Sequence, residues 1–181
     1  MDPLEELIAR SKIHDLADHY AVAVDGKDLE TLSLLFPEDV NNGRYGEGRD
    51  GVKVFYDHVL RPFHCSMHMV GNHVIDFDDE SHAHGIVYCR AHHHVVEPDH
   101  WFDMALAYWD TYEKHGDSWF FRRRQLKSWY RQEVGHPQHG SERVTAASGT
   151  EGPLRGRRMP EAFPTFDSYW AREPAPLPRQ H

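Results

Sequence analysis

Long apolar runs are missing from this chain. No stretch of about 18 apolar residues occurs anywhere in its length, so no helix that crosses a membrane is expected. Cysteine is scarce as well. The two present, Cys65 and Cys89, fit no metal-ligand spacing and have no need to pair in a reducing compartment. The N-terminus has no basic-then-apolar signal pattern, which points to the cytoplasm. Positive charge is in deficit: a formal net charge of -9 with histidine neutral argues against general nucleic-acid binding. A glycine-rich phosphate loop, a serine elbow, a nucleotide fingerprint and internal repeats are all absent.

What is present is a globular composition. Hydrophobic residues make up 39% and charged residues 27% of 181 residues, enough for one domain with a real core and a tail. Histidine is abundant. A free imidazole changes charge near neutrality, so sixteen of them could make solubility or assembly depend on pH.

Residues 4–25 predict an amphipathic helix. Ile13, Leu16, Ala17, Tyr20, Ala21 and Val24 recur at three- and four-residue spacing, which buries Tyr20, and Gly26 is the expected stop. Asp25 falls in the last turn, where the helix dipole disfavours a negative charge, so it asks for a compensating partner. Asp28 is placed to cap a short helix closed by Pro37, residues 39–46 form a short strand or loop, and Asp50 is placed to cap a third helix ended by Pro62. Four strands follow, at about 64–77, 82–96, 101–114 and 118–132, with turn chemistry at each break. Short connections imply antiparallel neighbours, and strands this long imply a strongly curled sheet. The expected fold is α+β: a cone-shaped barrel whose curved, mainly antiparallel sheet wraps three N-terminal helices. Residues 1–132 form that domain. Residues 133–181 form an extension in which 137–160 is extended or mobile, while Phe163, Phe166, Tyr169 and Trp170 dock on the body or on a neighbouring subunit.

Several residues carry candidate chemistry. His68 interrupts an apolar strand pattern and is placed to act as a base, with Asp25 holding its tautomer and stabilising its protonated form. A core histidine bonded elsewhere fits the same spacing. Tyr20 is placed to polarise a carbonyl or assist a leaving group; as a core aromatic it would need only a hydrogen-bond partner. Among Arg122, Arg123 and Arg124, alternation sends Arg123 to the face opposite the other two, and a guanidinium facing the pocket would stabilise an anion. His92 and His94 share a face and suggest a metal site, but a third ligand at convincing spacing is missing. Tyr88, Tyr108 and Trp129 supply aromatic lining or core, suited to a flat apolar ligand.

Tyr20-x4-Asp25-Gly26-Lys27-Asp28-Leu29, Arg49-Asp50-Gly51-Val52, Ser66-Met67-His68-Met69 and Tyr108-x-Asp110-x-Tyr112-Glu113-Lys114 followed by Trp119, in this order over residues 5–132, resemble the SnoaL-like branch of the nuclear-transport-factor-2-like superfamily. The likeness is greatest to its small cofactor-free lyases: bile-acid 7α-dehydratases, scytalone dehydratase and hexachlorocyclohexane dehydrochlorinase. The resemblance implies a His–Asp pair at His68 and Asp25, a tyrosine of the bile-acid enzyme at Tyr20, and a pocket arginine of the dehydrochlorinase at Arg124. Phe63-His64-x3-His68 is also similar to the dehydrochlorinase. A further acidic residue and arginine of the bile-acid enzyme fall near Ala91 and Ser128, which departs from that substrate.

The resemblance thus implies a cofactor-independent lyase that removes water, halide or, by retro-aldol cleavage, an aldehyde from a small hydrophobic cyclic or aromatic compound. His68, Asp25, Tyr20 and Arg124 are its expected catalytic residues, and Tyr45, Asn72, Tyr88, Tyr108 and Trp129 the expected substrate-binding ones. No metal, membrane or nucleic-acid partner is expected, and the chain is expected to form a homodimer or homotrimer. The alternatives are a non-catalytic ligand-binding protein, a small structural subunit of an oxygenase, or an isomerase or cyclase that uses the same pair.

Overall fold

The first helix, α1 (Pro3–Asp25), begins with a capping box. The Asp2 side chain accepts from the Leu4 amide, Glu5 returns a bond to the Asp2 amide, and Pro3 supplies the preset first helical turn. Its stripe of Ile13, Leu16, Ala17, Tyr20 and Val24 is buried against the inner face of the sheet. The computed structural model describes residues 1–136 and 159–176.

The helix ends differently from the expectation. Gly26 is right-handed (φ -77), and the left-handed residue is Lys27 (φ 55). Glycine is needed at 26 for space: a Cβ there would lie 3.0 Å from the Phe163 ring and 3.1 Å from the Val22 carbonyl oxygen. Helix α2 (Leu29–Leu34) follows, capped by Asp28 through the Thr31 amide as anticipated. A short 3-10 turn (Gly43–Tyr45) is closed by the Asn41–Glu47 bridge. Helix α3 (Gly48–Leu60) starts two residues before the expected cap, because Glu47 rather than Asp50 occupies the N-cap position. It buries Val52, Tyr56 and Leu60.

Strands β1 (Phe63–Phe77), β2 (His82–Val95), β3 (His100–His115) and β4 (Ser118–Val134) form one antiparallel sheet in the order β1-β2-β3-β4. The meander, its turns and the α+β layering are those expected, and the curved sheet closes on the helices as a cone. Bulges interrupt the alternation of side chains. One bulge falls opposite Thr111 and Tyr112, which pair with Arg123 and Phe121 and leave Arg122 as the extra residue. An extra residue flips the parity of everything after it. Phe121 and Arg124, three apart, therefore both point inward, while Arg122 reaches Asp39 and Glu113 at the surface. The expected pairing of Arg122 with Arg124 on one face is corrected accordingly.

After residue 136 the description resumes at 159, so the expectation of an extended 137–160 segment lies almost wholly outside the described residues. A last helix, α4 (Phe166–Ala171), packs on the body of the same chain. Phe166 and Tyr169 are buried, the Tyr169 hydroxyl donates to the Asp57 carbonyl (3.2 Å), and Arg172 pairs with the buried Asp57 carboxylate (2.6 Å). Arg61 and the Ala175 amide complete the set of donors to Asp57.

Candidate active site

Asp25 ends α1 directly beneath β1, and the strand supplies everything its carboxylate needs. Ser66 Oγ donates to Oδ1 (2.8 Å), the His68 amide donates to Oδ2 (2.8 Å), and His68 Nδ1 lies 2.7 Å from Oδ1. Three donors offset the unfavourable helix terminus. The alternation of β1 puts Ser66 and His68 on the same inward face, so one strand delivers both. Because the carboxylate accepts at Nδ1, the neutral ring carries its proton there and its Nε2 lone pair is free. No described residue bonds Nε2.

That face of His68 opens on a cavity of about 270 Å³. Val24, Leu60, Phe63, Met104 and Leu106 make its walls apolar, and Leu126 and Arg131 stand at the exposed rim. Tyr20, Tyr56 and Tyr108 bring hydroxyl groups to it, beside Ser66 and His93. Their rings meet edge-on, with Tyr20 5.9 Å from Tyr56 and 5.5 Å from Tyr108. Burial raises the pKa of the Tyr20 hydroxyl, while Arg124 and the Tyr56 and Tyr108 hydroxyls pull the other way and only partly offset it. Burial likewise raises Tyr56 and Tyr108. All three hydroxyls are therefore protonated donors at neutral pH.

His93 is a member of the site that the sequence reading passed over. Its ring stacks on Phe102 (4.7 Å, 12° between planes) and stands edge-on to His68 (5.4 Å, 85°). Nδ1 is buried with no partner among the described residues. Burial, reinforced by positive charge on His68 and Lys27, pushes its pKa down to about 3, so the ring is neutral. The signal was available in the alternation: Val87, Cys89 and Ala91 are buried on the inner face, and the same period carries His93 inward. Ser66 and Tyr56 were also missed, and the same periodicities place them.

Arg124 does not reach the cavity wall. Asp110, its direct partner across β3 and β4, captures it in a two-pronged ion pair (Nε–Oδ1 3.0 Å, Nη2–Oδ2 2.8 Å). The guanidinium lies 4.2 Å from the Tyr20 ring centre and 4.1 Å from those of Tyr108 and Phe121. Burial alone would lower its pKa, but Asp110 outweighs that and the group stays charged. Arg124 is thus one layer behind Tyr20 and Tyr108, and the expectation that it touches the leaving group is corrected. Asp110 also accepts from the Tyr112 hydroxyl (3.1 Å), which lies 2.9 Å from His73 Nε2.

Of the expected substrate-binding residues, the structure brings only Tyr108 to the cavity. Tyr45 packs on Phe55 and bonds Arg44 over a separate shallow depression, because the 3-10 turn leads outward. Asn72 is exposed where the β1 bulge between Val70 and His73 leaves it unpaired. Tyr88 and Trp129, 46% and 60% exposed, meet edge-on at 4.8 Å on the outer sheet face. His92 and His94 also point outward, bonded to Asp103 and Asp99, and no group of three metal-ligating side chains occurs among the described residues. Phe63 lines the cavity, whereas His64 lies against Phe166 and Trp170.

Comparisons with known proteins agree with this fold. The solved structure of LinA, a hexachlorocyclohexane dehydrochlorinase, is 25% identical, with a TM-score of 0.68 over 76% of this chain and 97% of that one. A scytalone dehydratase-like protein from Novosphingobium aromaticivorans is 25% identical, with a TM-score of 0.63 over 74% of this chain and 92% of that one. The LinA-type3 dehydrochlorinase from Novosphingobium barchaimii, 21% identical with a TM-score of 0.67 over 74% and 95% of the two chains, shares the fold. No curated protein sequence matches. The SnoaL-like domain profile matches residues 5–125, two thirds of the chain and every element from α1 to the inward-facing part of β4; the chain belongs to the SnoaL-like domain family.

Proposed function

We propose that this protein is a cofactor-independent lyase acting on a small hydrophobic cyclic or aromatic compound. The observation that carries the reading is the Asp25–His68 contact at the wall of an apolar cavity, with Nε2 unengaged by any described residue. His68 Nε2 takes a proton from a substrate carbon. The C–H electron pair forms a double bond, and hydroxide or halide departs with the pair of the bond that breaks; hydroxide leaves as water by taking the proton that His68 has just received. For an aldehyde leaving group, His68 takes the proton of a hydroxyl, the C–C bond breaks, and its electron pair passes to a carbonyl-stabilised carbon. Asp25 holds the imidazole in the required tautomer and stabilises the imidazolium. The Tyr20, Tyr56 and Tyr108 hydroxyls donate to the oxygen or halide that gains negative charge. Arg124 lends its field from behind the two tyrosine rings, strengthening them as donors.

His93 faces the same space as a neutral ring with an unspent nitrogen, and its role is a hydrogen bond to a substrate polar group. The small cavity volume favours a ligand of one or two rings. An isomerase that returns the proton to a second carbon would use the same base and donors, and the cluster of hydroxyls suits an enolic intermediate. The test is a panel of small cyclic β-hydroxyketones, hydroxymethyl aromatics and halocycloalkanes incubated with wild type and His68→Ala. Appearance of a conjugated product, free aldehyde or free halide that drops by about 10²–10⁴-fold in the variant is the expected result. Equal turnover by the two proteins would remove the mechanism.

A further inference from the structure

Lys27 closes the turn that carries Asp25, and it is in an unexpected place for a lysine. It is the one non-glycine residue with positive φ among the described residues. Its side chain is among the largest fully buried ones, 2% exposed, and Nζ has no hydrogen-bond partner among them. Lysine ordinarily extends its flexible stem to water, and an unpaired buried ammonium is costly. The C-terminal segment keeps it in. Thr165 Oγ1 donates to the Gly26 carbonyl (2.6 Å), the Phe163 ring occupies the space over Gly26, and the Tyr169 ring centre lies 6.0 Å from Nζ.

The groups around the amine come from every layer packed on the turn. Asp25 belongs to α1, His64 and Cys65 to β1, His93 to β2 and Tyr169 to α4. Asp28, Glu30, Lys53 and Arg172 stand around the adjacent surface depression. Lys53 is already paired with Glu30 and Asp50, and Arg172 with Asp57. Burial lowers the Lys27 pKa to about 8, and Asp25 and Cys65 oppose that shift, Asp25 more strongly. Asp25 in turn has both oxygens occupied by Ser66 and His68, so Lys27 acts on it through space and not through a bond.

We propose that Lys27 is a positioning residue whose buried charge sets the basicity of the Asp25–His68 pair, and that residues 163–169 hold it in that role. The inference rests on the reading of that pair as the working base. A charged Lys27 opposes the proton that arrives on His68 and makes the pair a weaker base. Loss of the Lys27 proton relieves the opposition. The base therefore strengthens as pH rises through the titration of Lys27, around the upper end of the physiological range.

The test is an NMR titration of the full chain without substrate, following the His68 ring Cε1–H and the Lys27 Cε–H₂ signals. In wild type, Lys27 titrates about two units below an exposed lysine, and His68 shows a second, smaller displacement over the same pH range. In Lys27→Met that second displacement is gone and the main His68 midpoint moves to higher pH; Lys27→Arg, which keeps the charge, returns the midpoint toward wild type. A His68 signal flat across the Lys27 titration, or an unchanged midpoint in a folded Lys27→Met protein, overturns the proposal. The wild-type titration decides the matter even if both variants fail to fold. A failure here leaves the lyase reading standing, whereas His68→Ala with undiminished turnover removes that reading and leaves the measured coupling intact.

Discussion

Asp25 and Asp110, two of the buried carboxylates, have different fates. Asp25 meets His68 and Asp110 meets Arg124, each across secondary-structure elements and each within hydrogen-bond distance. Asp110 has a partner that never releases its proton, enclosed by Tyr20, Tyr108 and Phe121. Asp25 has an imidazole for a partner, a group able to take and return a proton, whose Nε2 has no partner among the described residues and faces a cavity. A carboxylate thus makes a brace with a guanidinium in one place and, in the reading proposed above, a base with an imidazole in the other. What separates the two is the partner's ability to exchange a proton and the direction of its free valence.

The contrast is broken most severely by His68→Ala, which loses about 10²–10⁴-fold in turnover while the thermal midpoint stays close to wild type. Asp110→Ala reverses the pattern. It strands a buried guanidinium and costs about 3–5 kcal/mol of stability, read as a drop in the denaturant midpoint. Replacing both partners, in Asp110→Leu with Arg124→Met, recovers most of that loss, because the burial of an unpaired charge is removed with the pair.

Acid sharpens the comparison from a different side. His93 is held neutral by burial, its pKa pushed down from 6.5 to about 3, and His73 by the same cause to about 4. The unfolded chain binds those protons at a higher pH than the folded one. Stability is then full above about pH 6.5 and falls as pH drops toward 3, by up to about 1.4 kcal/mol per unit for each group. His93→Gln flattens that slope in urea melts taken between pH 6 and 4. Loss of one donor in Tyr20→Phe lowers turnover by roughly tenfold, the worth of a single hydrogen bond in the transition state. The smallest effect belongs to the outer face, where Trp129→Ala leaves turnover unchanged and shifts monomer stability by less than about 0.5 kcal/mol.

Much of this was legible beforehand. Strand ends fell within a few residues of their positions, since Asp78-Asp79-Glu80-Ser81, Glu97-Pro98-Asp99 and His115-Gly116-Asp117 are strong turn signals. Asp25 announced its need for a partner by ending a helix, and His68 stood out as an imidazole in an apolar strand. Arg124 misled because a one-residue bulge is silent in composition and reverses every later side chain. Tyr88, Asn72 and Trp129 misled because an aromatic or amide in a strand reads alike on either face. His93 was hidden inside a triplet whose outer members drew the attention.

Local chemistry alone determined the three N-terminal helices, the four strands and their order, because periodicity, caps and turn residues act over a few positions. It also determined that Asp25 required a partner. The pairing of Asp25 with His68 was expected and the structure makes it; only the tertiary structure decided that Asp110 withdraws Arg124 from the cavity and that a segment more than a hundred residues away seals Lys27 beside Asp25. Those outcomes depend on bulges, register and packing between distant parts of the chain, and no short stretch of residues encodes them by itself.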